Sequence, residues 1–255
     1  HHGSVRDVTK IEKILLETVD YVVFNSSYTM SHAMKYTTPP AFAVVSPGVD
    51  TDKFQRRPST KAQTDILPPD VTGKPILFTL GRLVECKGHK YLIEAMRLVN
   101  KKFNAHLLVG GDGPQRQDLD HLVSNKDLEN EVTFLGHIPW RRTNFYYTSA
   151  DIYLQPSIID KDGVTEGLGV TILEAMACGT PVVASSAGAL PEVCGDAAQL
   201  VDPRDQGAIA SAVENAIADP DRWRQAGLRR AAGFTWEATA AAVDAELADI
   251  LNWPE

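Results

Sequence analysis

Glu166 and Glu174 lie eight residues apart in "TEGLGVTILEAMACGTPVVAS", and Arg82 and Lys87 lie five apart in "GRLVECKG". A carboxylate accepts hydrogen bonds from two hydroxyls, so each glutamate could grip a diol of a sugar or a ribose. Two cations in one loop suit an anion, and the planar fork of arginine matches phosphate oxygens. Gly81 permits a tight turn before those cations, and Gly167 and Gly169 let the backbone approach a ligand closely. A helix beginning near Val170 offers unpaired N–H groups and the positive end of its dipole, a second place for an anion. Glu174 sits within "VTILEAMACG", where a charge without a partner would be costly. Cations and a helix end for phosphates, with carboxylates for hydroxyls on either side, describe a nucleotide-sugar site. Blander readings stand beside it. Arg82 and Lys87 could be ordinary surface cations, Glu166 a favourable charge near a helix start, and Glu174 a solvated helix residue.

These residues must be positioned by the elements around them. From Pro75 onward, apolar runs at 76–80, 105–111, 131–136, 151–155, 181–185 and 197–201 read as strands. Helical patterns at 89–103, 115–123, 141–149 and 169–178 separate them, and the chain after 204 is mostly helical. Six apolar strands alternating with helices imply a parallel sheet covered on both faces. The expected fold class is therefore α/β, a Rossmann-like doubly wound parallel six-stranded sheet. In the common order 3-2-1-4-5-6, the strands ending at Leu80 and Gln155 are neighbours at the switch point. Ligands bind outside the carboxyl ends there, which places the site in the loops 81–88 and 156–170.

Composition narrows the function classes. A net charge of −8 gives no general support for nucleic-acid binding, and no apolar run is long enough to span a membrane. Cys86, Cys178 and Cys194 lack metal-ligand spacing and read as reduced thiols of a cytoplasmic protein. The D-x-D triplets Asp50–Asp52 and Asp118–Asp120 read as chance rather than as metal ligands. "HHGS" (1–4) reads as a purification-tag remnant, and with no initiator Met the chain reads as a fragment of a longer protein. Residues before 72 differ in character, with a helix–strand–helix pattern followed by a proline-rich stretch.

"GRLVECKG", "GGDGP", "VTFLGHIP" and "EGLGVTILEAMACGTPVVAS" resemble the C-terminal half of retaining glycosyltransferases of family 4, which have the two-domain GT-B fold. The glutamate pair matches that family's E-x7-E motif, and "SPGVDTDKF" (46–54) resembles the segment entering its C-terminal domain. The resemblance implies a division of the chain. Residues 5–40 would be trailing elements of a missing N-terminal acceptor domain, 41–72 an interdomain linker, 73–235 the nucleotide-sugar-binding domain, and 236–255 a helix crossing back toward the missing domain.

It also implies roles. Arg82 and Lys87, beside Gly81, would neutralise the donor diphosphate as it leaves, and Glu166 would bind the transferred sugar with backbone amides around Leu168, Gly169 and Val170. Val170 and Thr171 amides would reach phosphate, Glu174 would bind ribose hydroxyls, and Gly136, His137 and Ile138 would meet the base. The donor would be a UDP- or GDP-linked hexose. No cofactor or metal is expected, because cations and a helix end do a metal's work. Transfer would retain configuration by a front-face mechanism, the leaving phosphate assisting deprotonation of the acceptor hydroxyl. The full-length protein would be cytoplasmic or peripheral to a membrane. The isolated fragment is expected to transfer little sugar and to self-associate through an apolar face carrying Ile11, Ile14, Leu15, Val19, Val22 and Val23. A non-catalytic nucleotide-sugar-binding module serving a separate subunit, or a GT-B nucleotide-sugar epimerase, remain alternative readings.

Overall fold

The computed structural model describes residues 4–5, 9–56 and 67–251. Part of the tag-like stretch (1–3), part of the expected linker (57–66) and the last residues of the expected C-terminal helix (252–255) lie outside the described residues. Ser4, read with the tag-like stretch, begins β1.

The first elements are β1 (Ser4–Val5), α1 (Lys10–Thr18), β2 (Val22–Phe24), α2 (Ser27–Ala33) and β3 (Phe42–Val44). Thr9 and Glu12 form a capping box that starts α1. β3 falls inside the stretch expected to be linker, because "FAV" supplies a short β-forming run that pairs in parallel with β2. Ile14, Leu15, Val19, Val23 and Phe42 are exposed, Val22 is half-buried, and the side chain of Ile11 lies outside the described residues.

The main sheet contains β4 (Ile76–Leu80), β5 (His106–Gly110), β6 (Val132–Gly136), β7 (Ile152–Gln155), β9 (Val182–Ser185) and β10 (Gln199–Val201), with β8 (Thr165–Glu166) apart from it. Its order is β10-β9-β7-β4-β5-β6, and every pairing is parallel. This is the expected doubly wound order, with β4 beside β7. β8 instead pairs antiparallel with β1.

Helices cover both faces. α3 (His89–Val99), α4 (Arg116–Asn125) and α8 (Gln206–Ala218) place Ile93, Met96, Leu119 and Val213 against one face. α5 (Trp140–Ser149), α6 (Val170–Ala177) and α7 (Leu190–Cys194) place Tyr147, Ile172, Met176 and Val193 against the other. Such strands, buried on both sides, need continuous apolar runs such as "ILFTL", and β4 is buried through Thr79.

α9 (Pro220–Ala231) packs on α6, and α10 (Trp236–Leu251) returns to the N-terminal segment. There Glu246 accepts a bond from the Tyr21 hydroxyl, and Thr239 Oγ1 donates to the Ser46 carbonyl at 2.9 Å. None of the described helices is long and apolar enough to cross a membrane.

Candidate nucleotide-sugar site

The crevice forms where β4 and β7 pair, with Phe78 opposite Tyr153. β4 continues toward β5 on one side and β7 toward β9 on the other, so the loops leaving their carboxyl ends diverge and open a cleft. The two loops are stitched together lower down. Ile158 N–H donates to the Cys86 carbonyl at 2.8 Å. Gly88 adopts φ 68°, and a Cβ there would lie 2.0 Å from the Pro156 carbonyl oxygen. Only glycine permits that contact, which brings the end of the 81–88 loop against β7's exit.

Lys87 ends a short 3-10 turn in that loop, and its ammonium donates to Glu166 Oε1. The pair is largely shielded, with side-chain exposures of 14% and 4%. Glu166 Oε1 also accepts from Gln155 Nε2 at 2.7 Å and Ser157 Oγ at 2.9 Å. No described residue donates to Oε2. The Glu166 carbonyl accepts from Ala189 N–H at 3.0 Å, and the Gly167 carbonyl from the buried Ser26 hydroxyl at 2.7 Å.

α6 begins immediately beyond. Its N-cap is Gly169 at φ 90°, and no side chain caps it. The first amides of the helix are therefore left to a ligand or to water, as the sequence suggested. Leu168 is buried beneath this turn, and Val170 is exposed at its rim. Thr171 Oγ1 donates to Gln155 Oε1 at 3.2 Å, which ties the helix start to β7.

Glu174 lies one turn further in. Its Oε2 accepts from the Tyr147 hydroxyl at 2.8 Å, and burial raises its pKa, opposed by the Tyr147 bond and the charge of Lys53. Glu166 is buried and Glu174 half-buried, so the first is the more enclosed of the two. The loops at 156–158 and 186–189 close over Glu166, whereas one side of α6 stays partly open.

Lys53 Nζ lies over the Trp140 ring at 3.3 Å and the Phe54 ring at 4.1 Å, with no hydrogen-bond partner among the described residues. Burial lowers its pKa.

The structure thus brings Gly81, Lys87, Glu166 and Thr171 into one crevice, with Gly81 against the stem of Lys87. Arg82, on the same loop, is exposed and has no ion-pair partner among the described residues. At the end of β6, Gly136 turns at φ 66°; beyond it His137 is exposed and Ile138 is buried against Gly110. Two of the D-x-D aspartates have local work, Asp50 accepting from Lys53 N–H and Asp120 pairing with Arg116. Among the described residues no three His, Cys, Asp or Glu cluster to hold a metal. Gln155, Ser157, Tyr147 and Lys53 are site residues that the sequence reading missed. A glutamine closing the apolar run "DIYLQ", with a serine two residues on, was the available signal for the first two.

Residues 67–231 match the family described as glycosyl transferases group 1. The chain is 34% identical over 222 residues to a GDP-mannose-dependent alpha-(1-6)-phosphatidylinositol monomannoside mannosyltransferase of Mycolicibacterium smegmatis, covering 85% of this chain and 57% of that one. It is 29% identical over 246 residues to O-antigen chain mannosyltransferase B of Escherichia coli, covering 90% and 61%. The chain therefore spans less than two-thirds of the length of these relatives. Among solved structures, sucrose-phosphate synthase from Thermosynechococcus elongatus superposes with a TM-score of 0.81 at 28% identity, covering 95% of this chain and 61% of that one. The C-terminal domain of a glycosyl transferase group 1 protein from Francisella tularensis gives 0.61 at 28% identity, covering 72% and 96%. This chain belongs to the glycosyl transferases group 1 family.

Proposed function

We propose that this chain is the donor-binding part of a retaining glycosyltransferase that moves a hexose from a nucleotide-sugar to a hydroxyl acceptor. The observation that carries the reading is the meeting of Lys87 and Glu166 beside the uncapped start of α6. A cation, a row of free amides and a carboxylate then face one crevice, as a sugar diphosphate requires. Arg82 and Lys87 neutralise charge as the diphosphate leaves, and Glu166 Oε2 accepts from hydroxyls of the transferred sugar. Glu174 Oε1 accepts from the ribose. The relatives named as GDP-mannose-dependent and as mannosyltransferases make GDP-mannose the first donor to try. The cations and the helix end carry the phosphate charge without a metal. Because the chain spans only part of its relatives' length, transfer by this chain alone is expected to be weak: catalysis needs donor and acceptor held in register.

A thermal-shift panel of GDP, UDP and ADP in EDTA tests the reading. A ligand at 100 times its dissociation constant adds about 2.7 kcal/mol to stability, a readily visible shift. A clear response to one nucleotide supports the proposal, and a flat response to all three overturns it.

A further inference from the structure

We propose that Gln155 is a positioning residue, which holds Glu166 with Oε1 occupied and Oε2 open to the transferred sugar; this rests on the donor-site reading above. Gln155 is the last residue of β7 and is 2% exposed. Its amide nitrogen donates to Glu166 Oε1 at 2.7 Å and to Ser157 Oγ at 3.1 Å. Its amide oxygen accepts from the Tyr153 hydroxyl at 2.7 Å and from Thr171 Oγ1 at 3.2 Å. A primary amide has two N–H donors and two acceptor lone pairs, so all four positions are filled.

The direction of the amide follows from its neighbours. An ionised carboxylate only accepts, so the nitrogen must face Glu166 and the oxygen must face the two hydroxyls. Ser157 strengthens the same choice by accepting from Gln155 while donating to Glu166 Oε1 at 2.9 Å. With Lys87, three donors then converge on one oxygen of Glu166. Rotating the carboxylate would break all three bonds inside a shielded site, where unmade hydrogen bonds are costly. The Oε2 position is therefore fixed before any ligand arrives.

Gln155 also joins parts of the crevice that are far apart in sequence. Through Thr171 it reaches the start of α6, and Tyr153 lies within 3.3 Å of the Leu80 carbonyl at the end of β4. A residue that merely satisfied the core would affect stability without telling one ligand from another. A residue that aims Oε2 should matter only to a ligand that carries the sugar.

The test compares wild type with Gln155→Met, which keeps the length but donates nothing. Gln155→Asn draws the amide back by one methylene without adding charge, and it is read in place of Gln155→Met if that variant does not fold. Calorimetry in EDTA uses two probe pairs, GDP with GDP-mannose and UDP with UDP-glucose. The expected result is a nucleoside diphosphate affinity changed by less than about twofold, with a loss of about tenfold for the matching nucleotide-sugar, as follows from hydrogen bonds to a charged group. Equal losses within a pair, or an unchanged nucleotide-sugar affinity, would overturn the positioning role alone. Wild-type protein that binds none of the four probes would overturn the donor-site reading and this proposal with it.

Discussion

Lys87 and Glu166, 79 residues apart in the chain, form a shielded ion pair at the floor of the crevice between β4 and β7. One was expected to serve the diphosphate and the other the sugar. In the structure each neutralises the other, so neither charge is left uncompensated at this point. Removing one partner leaves the other charge stranded where water is scarce.

Lys87→Met should therefore lower the unfolding free energy by about 3 kcal/mol. Glu166→Gln should destabilise as well, and the double variant should lose less than the sum of the two single losses. Urea denaturation of the four proteins measures the coupling. Additive losses would mean that the pair contributes nothing beyond its separate members.

Arg82 should behave differently, because it is exposed and has no ion-pair partner among the described residues. Arg82→Ala should leave the melting temperature nearly unchanged and weaken nucleoside diphosphate binding by roughly 1.5–3 kcal/mol, the range for a hydrogen bond to a charged group. Calorimetry and a melting curve on one preparation separate the two effects. Normal binding by the variant would remove Arg82 from the site.

Glu174→Gln should move stability and binding in opposite directions. Burial raises the pKa of Glu174. Between the ordinary carboxylate value and the raised one, the folded state keeps a proton that the unfolded state has lost. Stability therefore falls as pH rises through that window, and the cost persists at neutral pH. Glutamine can still accept from Tyr147 without that cost, so the free variant should melt higher than wild type. Its nucleoside diphosphate affinity should drop by roughly 1.5–3 kcal/mol through loss of the charged acceptor. A variant that melts lower, or binds as well as wild type, would contradict this picture.

His89 should make the protein acid-sensitive above the carboxylate range. Burial, with a smaller contribution from the Lys87 charge, lowers its pKa from 6.5 to about 3. The folded ring stays neutral while the unfolded ring takes a proton, so its contribution is fully present above pH 6.5 and is lost as pH falls toward 3. The slope approaches about 1.4 kcal/mol per pH unit for one proton. His89→Leu should flatten the stability profile between 6.5 and the onset of carboxylate titration. Identical slopes in wild type and variant would show that the folded ring is already charged.

The framework of this site was legible because it rests on local pattern. "ILFTL" became β4 over 76–80 as expected, and the alternation of apolar runs with helical patterns led to the observed strand order. The last strand begins at Gln199 rather than at 197, as happens where an apolar pattern runs on through a loop such as "GDAA". What stayed hidden depends on register between distant loops. Nothing near Lys87 in the sequence points to Glu166, nor does anything near Glu174 point to Tyr147; both contacts exist because neighbouring elements bring them together. The proline-rich stretch concealed β3 for a related reason, since a three-residue strand forms only when β2 lies alongside.

The most direct measurement is calorimetry of GDP and GDP-mannose, in EDTA, against wild type and Glu166→Gln. Wild type should bind both ligands without metal. Glu166→Gln should keep its GDP affinity and lose at least about 1.5 kcal/mol on GDP-mannose, because the proposed role of that carboxylate is to accept from the sugar. Equal losses on both ligands, or wild-type protein that binds neither, would contradict the assignment of Glu166 to the transferred sugar.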